Sequence, residues 1–279
     1  MNTQLRITCL VNDSVMLYSK FWGEHGLAFL IETDTDTVLF DTGTSPEILA
    51  HNLEILNRDL SQVHNIVLSH GHTDHTGALD WALARTENPR LIAAPGVFTE
   101  RFSTLDGSFS SIGMPLSRAE VEERSKLTLT EETFTIAAGI ALTGDVPRRN
   151  TYELPDRRMM VKQDDSYVVD TFIDDRSLVL DTPDGLVLLA GCCHAGIINT
   201  LDYVRSTFNR PVVAVVGGIH MKGAGQERIE RTIETIQRDY PTIVHFYLNH
   251  CTGDEAVRAF EQAFGERVSA CPAGLEMVF

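Results

Sequence analysis

Four potential metal ligands occupy six consecutive positions of this chain. His70, His72, Asp74 and His75 stand directly after the apolar, strand-like run 65–68. Imidazole nitrogens and carboxylate oxygens are common ligands of zinc and similar divalent ions. Alternate side chains of an extended segment share one face, so His70 and His72 can reach the same ion. The chain then turns towards a helix, where Asp74 and His75 can reach a second ion. The spacing predicts a centre that holds one or two metal ions.

Three later histidines stand just beyond the ends of apolar strand-like runs. His194 follows run 186–190, His220 follows run 212–216, and His250 follows run 243–248. Proteins that alternate strands and helices commonly place their chemistry beyond the carboxyl ends of strands. The three positions are therefore predicted to converge on one rim of a sheet. His245 lies inside its run and is predicted to be structural.

Asp41 also ends an apolar strand-like run, residues 38–40. A buried carboxylate at this place can accept a hydrogen bond from a ligand histidine and so orient its ring. The alternative is a turn-forming Asp before Thr42 and Gly43. The residues themselves leave both interpretations open.

The elements that must position these residues alternate between strand-like and helix-like runs. Residues 46–56 have a helical apolar stripe, and strand-like runs with helices between them return after residue 167. Continuous apolar strands between helices indicate sheets covered by helices, an α/β fold. Residues 95 to about 160 are rich in Gly, Ser, Thr, Pro and charge. They predict an insertion that forms part of the substrate pocket within one domain, residues 1–279.

Composition excludes several functional classes. The chain has 279 residues, 43% of them hydrophobic, and a net charge of −16, which disfavours nucleic acid as a partner. No apolar run is long enough to span a membrane, and no secretory signal is visible, so a cytoplasmic location is expected. The five cysteines predict free thiols. The expected partner is a small molecule, which can be phosphorylated if bound cations reverse the local charge. A homo-oligomer is allowed.

Together these motifs resemble the metallo-β-lactamase superfamily. The resemblance rests on the strand before Asp41-Thr42-Gly43, on the segment His70–His75 and on the distal histidines. It implies a four-layer αββα sandwich with a site of one or two metal ions at its edge. Five blocks are most similar to the group called 7,8-dihydropterin-6-methyl-4-(β-D-ribofuranosyl)-aminobenzene-5′-phosphate synthase. The blocks are residues 24–27, 142–148, 191–199, 217–221 and 250–253.

The chain departs from the superfamily pattern at one ligand. Many members place a histidine between the first motif and a bridging Asp, but this chain has no histidine between His75 and His194. Either His194 is the missing ligand, or the Gly191-Cys192 turn takes the bridging position and Asp174 or Asp175 replaces the histidine. We favour His194. The bridge stays open between Cys192, Asp174, Asp175 and none, with Cys192 either a thiolate ligand or a small buried side chain.

The resemblance then implies roles for the individual residues. His70, His72 and His194 would hold the first ion, and Asp74, His75 and His250 would hold the second. Asp74 can also accept a proton from the attacking water, and His220 is predicted to be an acid or hydrogen-bond donor near the leaving group. Arg148 and Arg149 are candidates for binding an anionic substrate group.

The leading hypothesis is a metal-dependent hydrolase that uses metal-activated water on a small ester or phosphoester. Zn²⁺ is the expected ion, with Mn²⁺ or Fe²⁺ as alternatives. A second hypothesis is a transferase like the named synthase, which condenses a phosphoribosyl donor with a pterin precursor or aminobenzoate. A third is a metal-binding sensor without turnover.

Overall fold

Within the residues that the structure describes, two seven-stranded sheets and one four-stranded sheet carry the fold. The computed structural model describes residues 5–104 and 107–279. Over these residues the strands are β1 (Arg6–Val11), β2 (Ala28–Glu32), β3 (Thr37–Phe40), β4 (Asn65–Val67), β5 (Arg90–Ala93), β6 (Arg101–Ser103), β7 (Ser110–Ser111), β8 (Lys126–Leu129), β9 (Phe134–Ala137), β10 (Ile140–Leu142), β11 (Met159–Gln163), β12 (Ser166–Val169), β13 (Ser177–Thr182), β14 (Gly185–Ala190), β15 (Val212–Gly217), β16 (His245–Leu248), β17 (Val268–Ala270) and β18 (Glu276–Val278).

Helices flank these strands along the chain. They are α1 (Pro46–Ile55), α2 (Thr73–Thr76), α3 (Leu79–Leu83), α4 (Arg118–Arg124), α5 (Ile197–Phe208), α6 (Gln226–Asp239) and α7 (Asp254–Phe264). Short 3₁₀ turns cover Pro95–Phe98, His250–Thr252 and Gly265–Arg267. Within the described residues, no helix combines the length and the apolar content that crossing a membrane requires.

The first large sheet has the strand order β18-β1-β2-β3-β4-β5-β8, and the second has the order β17-β16-β15-β14-β13-β10-β9. In the first, β3, β4, β5 and β8 run parallel. In the second, β14, β15, β16 and β17 run parallel. Parallel strands end at the same edge of a sheet, so the loops that follow β3 and β4, and those that follow β14, β15 and β16, gather at one edge of each sheet.

Apolar side chains divide the molecule into layers. One cluster joins inward-facing residues of both large sheets, including Phe29 of β2 and Val187 of β14. A second cluster packs the first sheet against α1 and α3, and a third packs the second sheet against α5, α6 and α7. Strand β14 is buried on both faces, because Val187 and Leu189 join the cluster between the sheets while Leu186 and Leu188 join the helix side. The expected αββα sandwich is confirmed.

The predicted insertion, residues 95 to about 160, is only partly an addition to these layers. Strand β8 extends the first large sheet, and β9 and β10 extend the second, so these three strands belong to the sandwich. The remaining strands are β6 and β7. Strand β6 pairs with β7 on one side and with β11 on the other, and so joins the four-stranded sheet. Strands β6, β7 and β8 have only two to four residues each, which carry too little alternation to be recognised in a polar sequence.

Candidate metal centre

The segment from His70 to His75 begins where β4 ends and continues into α2. Gly71 allows this segment to pass close to the turn at Pro95–Phe98, since a Cβ at Gly71 would lie 2.0 Å from the carbonyl oxygen of Val97. The Gly71 amide donates to Oδ2 of Asp174 at 2.9 Å. These backbone contacts fix where His70 and His72 project.

His70, His72 and His194, here called the first set, direct ring nitrogens at one another. Nε2 of His70 lies 3.0 Å from Nδ1 of His72 and 3.3 Å from Nε2 of His194. All three rings are buried. Burial lowers the pKa of His72 to about 3 and lowers those of His70 and His194 well below the usual value, with neighbouring histidines adding to the effect. Neutral imidazoles with converging nitrogens match the form that binds a metal ion.

Aromatic packing holds the first set. Phe172 stacks on His194 with ring centroids 3.8 Å apart and an angle of 4° between the rings. The rings of Phe172 and His72 make an edge-to-face contact, with centroids 5.5 Å apart. The outer nitrogens, Nε2 of His72 and Nδ1 of His194, are buried and have no hydrogen-bond partner among the described residues. Only His70 has such a partner in this set, the hydroxyl of Ser69 at 2.9 Å from its Nδ1.

Asp74, His75 and His250, here called the second set, meet beside the first. Oδ2 of Asp74 lies 3.6 Å from Nε2 of His75 and 3.3 Å from Nε2 of His250. Burial alone would raise the pKa of Asp74, but the nearby charges of His75 and His250 lower it well below the usual value. The ionised carboxylate and the two ring nitrogens form a donor set that suits a divalent cation.

Carboxylates orient both histidines of the second set. Nδ1 of His75 donates to Oδ2 of Asp41 at 2.7 Å, and Nδ1 of His250 donates to Oδ1 of Asp13 at 2.7 Å. A proton held on Nδ1 leaves Nε2 free to bind a metal ion, as in carboxylate–histidine pairs of metalloproteins. Asp41 also accepts hydrogen bonds from the amide and hydroxyl of Ser69, both at 2.7 Å. Its carboxylate therefore contacts a predicted ligand histidine.

Cys192 and His220 lie next to both sets. Sγ of Cys192 is 3.2 Å from Nε2 of His75. The ring of His220 is 4.2 Å from that of His194, and its Nδ1 is buried without a hydrogen-bond partner among the described residues. Both residues line a cavity of about 510 Å³ together with Asp74 and His250. His220 thus lies on the wall of the cavity, beside His194.

The two Asp residues considered for the bridge hold loops instead. Asp174 accepts from the Gly71 amide and from Arg101, whose Nη2 lies 2.5 Å from its Oδ1. Oδ2 of Asp175 accepts from the Ala195 amide at 2.8 Å. Burial raises the pKa of Asp174 to about 6 and also raises that of Asp175. Both carboxylates stabilise the segments that carry His70 and His194.

The prediction that Arg148 binds an anionic substrate group was wrong. Its guanidinium donates to the backbone carbonyl groups of Glu153, Thr171, His194 and Ala195. The side chain is used to fix the loop that carries His194. Arg149 is exposed and is not among the residues that line the cavity.

Sequence reasoning missed Asp13 and His25. Nδ1 of His25 lies 2.9 Å from Oδ2 of Asp13, and its Nε2 lies 3.4 Å from Oδ2 of Asp74. Asp13 comes two residues after β1, so the strand-end rule that found the distal histidines could have found it. Arg158 and Lys222 were missed as well, and both line the cavity.

Comparisons with known proteins identify the family and the fold. The family model of the metallo-β-lactamase superfamily matches residues 22–154. The chain is 30% identical to 7,8-dihydropterin-6-methyl-4-(β-D-ribofuranosyl)-aminobenzene-5′-phosphate synthase of Methanocaldococcus jannaschii, over 97% of this chain and 95% of that protein. It is similar to the crystal structure of Tm1679, a metal-dependent hydrolase of the β-lactamase superfamily, with 28% identity, a TM-score of 0.83 and 98% of each chain covered.

A more distant structure shares the fold alone. Zn²⁺-bound PqqB from Methylobacterium extorquens is 14% identical, with a TM-score of 0.56 over 98% of this chain and 99% of that one. The sandwich, the family model and the relative that matches nearly the whole chain lead to the same conclusion: this chain belongs to the metallo-β-lactamase superfamily.

Proposed function

We propose that the chain is a metal-dependent hydrolase that cleaves a small ester or phosphoester with metal-activated water. One observation carries the proposal. Two sets of ligand side chains converge side by side, and members of both sets line one cavity, including His72 and His194 of the first and Asp74 and His250 of the second. A site that served only to stabilise the fold would be closed by its ligands rather than open to a cavity.

The donor set indicates the kind of ion. His70, His72 and His194 would hold the first ion, and Asp74, His75 and His250 the second. Five imidazoles and one carboxylate suit zinc better than magnesium or calcium, with Mn²⁺ or Fe²⁺ as the alternatives. Such ions, when bound, supply hydroxide at neutral pH and stabilise negative charge that develops on the substrate.

The protein's own groups would move the protons. Asp74 is partly exposed to the cavity, with 20% of its side chain accessible, and can accept a proton from the attacking water. His220 lines the same cavity and can donate a hydrogen bond or a proton to the leaving group. Asp41 and Asp13 keep the protons of His75 and His250 on Nδ1 during this exchange.

The positive charge at the cavity rim supports a phosphoester as the substrate. Arg158 and Lys222 line the cavity of a chain whose net charge is −16. The carboxylate of Asp156 neutralises the charge of Arg158, since its Oδ2 lies 2.6 Å from Nη2 of Arg158. Among these three residues, the net positive charge therefore comes from Lys222. We therefore expect a small anionic substrate and not a nucleic acid, whose long backbone the remaining acidic surface would repel.

A transferase like the named synthase is the second candidate. It is favoured by the 30% identity to that synthase over nearly its full length. The same cavity, about 510 Å³, is large enough for a small-molecule substrate. Incubation with phosphoribosyl diphosphate and an aminobenzoate, followed by product analysis, separates condensation from simple hydrolysis.

Substitution of His72 tests the proposal. We expect His72→Ala to lose the first ion, and hydrolysis of a generic phosphodiester to fall by about 100-fold or more, beyond the loss typical of a residue that only orients a ligand. Metal content per chain and initial rates are the measurements. His245→Ala is the matched control, because His245 is exposed in β16. Metal content and rate equal to those of the parent protein in His72→Ala would refute the assignment.

A further inference from the structure

The five buried cysteines have two kinds of surroundings. All five are free thiols. Cys9, Cys193 and Cys271 belong to the apolar clusters of the core. Cys192 and Cys251 belong to none of those clusters among the described residues, and both line the cavity beside the histidines. A small molecule that enters the cavity can therefore contact these two thiols.

The two cavity thiols lie on loops that a third strand separates. Cys192 comes two residues after β14, and Cys251 comes three residues after β16. Strand β15 lies between them, because it pairs with both β14 and β16. Neighbouring strands are about 4.8 Å apart, so the ends of β14 and β16 are separated by about 10 Å. The two sulfur atoms nevertheless lie within 4.8 Å of each other.

Gly218 makes this close approach possible. It directly follows β15, between the two loops. A Cβ at Gly218 would lie 2.6 Å from Sγ of Cys251 and 3.6 Å from Cα of Cys192. The sulfur of Cys251 uses the space that a side chain would fill, and its thiol donates to the carbonyl oxygen of Cys192 at 3.5 Å. The sequence of the loop after β15 thus brings the two thiols together.

The core contains a second pair of cysteines, which serves as a comparison. Sγ of Cys9 lies 3.8 Å from the carbonyl oxygen of Cys271, and both side chains join the apolar cluster between the large sheets. Neither residue is among those that line the cavity. The pair of Cys192 and Cys251 combines close approach with a route for a small reagent, which the core pair does not have.

We propose that Cys192 and Cys251 form a modification site, at which a small peroxide converts the two thiols of the metal-free protein into a disulfide. With hydrogen peroxide, the first thiol takes one oxygen atom, becomes a sulfenic acid and releases water. The second thiol attacks the sulfenic sulfur, so that the S–S bond forms and a second water leaves. The two sulfur atoms supply the two electrons that reduce the peroxide.

The disulfide would also disturb the metal centre. Cys251 directly follows His250, and Sγ of Cys192 lies 3.2 Å from Nε2 of His75. A disulfide bond is about 2.05 Å long, so the two loops must shift towards each other when it forms. We expect this shift to displace two members of the second set. Formation of the disulfide itself requires no metal, so it can be tested whether or not the proposed function holds.

Thiol counting and peptide mapping test the modification without an activity assay. The metal-free parent protein is treated with hydrogen peroxide, its remaining thiols are alkylated, and its peptides are analysed by mass spectrometry. We expect two of the five thiols to be lost and to return after treatment with a dithiol reductant. Cys193→Ser is the matched control, because the sulfur of Cys193 faces the hydroxyl of Thr200. It should form the same disulfide, which then joins Cys192 to Cys251 without ambiguity.

The other cysteine variants make the test decisive. Cys192→Ser and Cys251→Ser should each prevent the disulfide, and the parent protein and Cys193→Ser carry the test if either variant folds poorly. The oxidised parent protein should bind zinc at the second set about tenfold or more weakly than the reduced protein. Retention of all five thiols, or a disulfide between Cys9 and Cys271 instead, would overturn the inference and leave the proposed function standing. A reduced parent protein that binds no zinc but forms the expected disulfide would refute the proposed function alone.

Discussion

The two ligand sets lie side by side but are held in different ways. In the second set, His75 and His250 each donate to a carboxylate, Asp41 and Asp13 respectively. In the first set, His194 is held by the stacked ring of Phe172, and the outer nitrogens of His72 and His194 have no hydrogen-bond partner among the described residues. His75 and His250 are therefore fixed by charge and hydrogen bonds, whereas His72 and His194 are held by packing.

This difference predicts unequal affinities for metal. A carboxylate that accepts a hydrogen bond from Nδ1–H of a histidine makes Nε2 of that histidine a stronger metal ligand. Negative charge near the site also attracts a cation. The second set has three carboxylates in or beside it, Asp74, Asp41 and Asp13, whereas the first has none among its members. We expect the second set to bind zinc first and more tightly when the metal-free protein is titrated.

Loss of Asp41 should weaken the second set most. Asp41→Asn presents one acceptor oxygen where three donors, two on Ser69 and one on His75, need partners. We expect zinc affinity at this set to fall by about 10–100-fold. The free energy of unfolding of the metal-free protein should fall by about 1–3 kcal/mol. Isothermal titration and chemical denaturation measure the two effects, with the exposed Asp34→Asn as control. Unchanged affinity would show that Asp41 does not support the second set.

A smaller loss is expected for Asp13→Asn. Asp13 is partly exposed, with 32% of its side chain accessible, so water replaces some of its effect on His250. We expect zinc affinity at the second set to fall by about tenfold while the first set is unchanged. Stepwise titration with a chromophoric chelator resolves the two affinities. An equal loss at both sets would remove the distinction between them.

The smallest effect should appear at the first set, on removal of aromatic packing. Phe172→Leu keeps an apolar side chain but removes the ring stacked on His194 and edge-on to His72. Because an aromatic contact contributes about 0.5–1.5 kcal/mol, zinc affinity at the first set should fall by about three- to tenfold. The same chelator titration provides the measurement. If the second set weakened more than the first, packing would not be what holds the first set.

The sequence predicted those parts of the centre that lie within one element or directly after a strand. His70 to His75 could be recognised because the ligands alternate over a few residues at the end of β4. His194, His220 and His250 could be recognised because each follows a continuous apolar run. The α/β class, with sheets covered by helices, followed from the same runs, and the αββα sandwich was implied by the resemblance.

Other contacts depend on chain folding over long distances. Asp13 meets His250 across 237 positions, and the Asn12 side chain accepts from the His250 amide. Local periodicity carries no information about such a pair. Arg148 was misassigned for a related reason, because only the folded loop shows that its donors are used by backbone carbonyl groups. The short strands β6, β7 and β8 were missed because each has only two to four residues and their partners lie in two different sheets.

Anomalous diffraction at the zinc edge, on crystals of the zinc-loaded protein, tests the central claim most directly. We predict two anomalous peaks, one among Nε2 of His70, Nδ1 of His72 and Nε2 of His194, and the other among Asp74, His75 and His250. A single peak would contradict the account, and so would a second ion held instead by Asp13, His25 and His250.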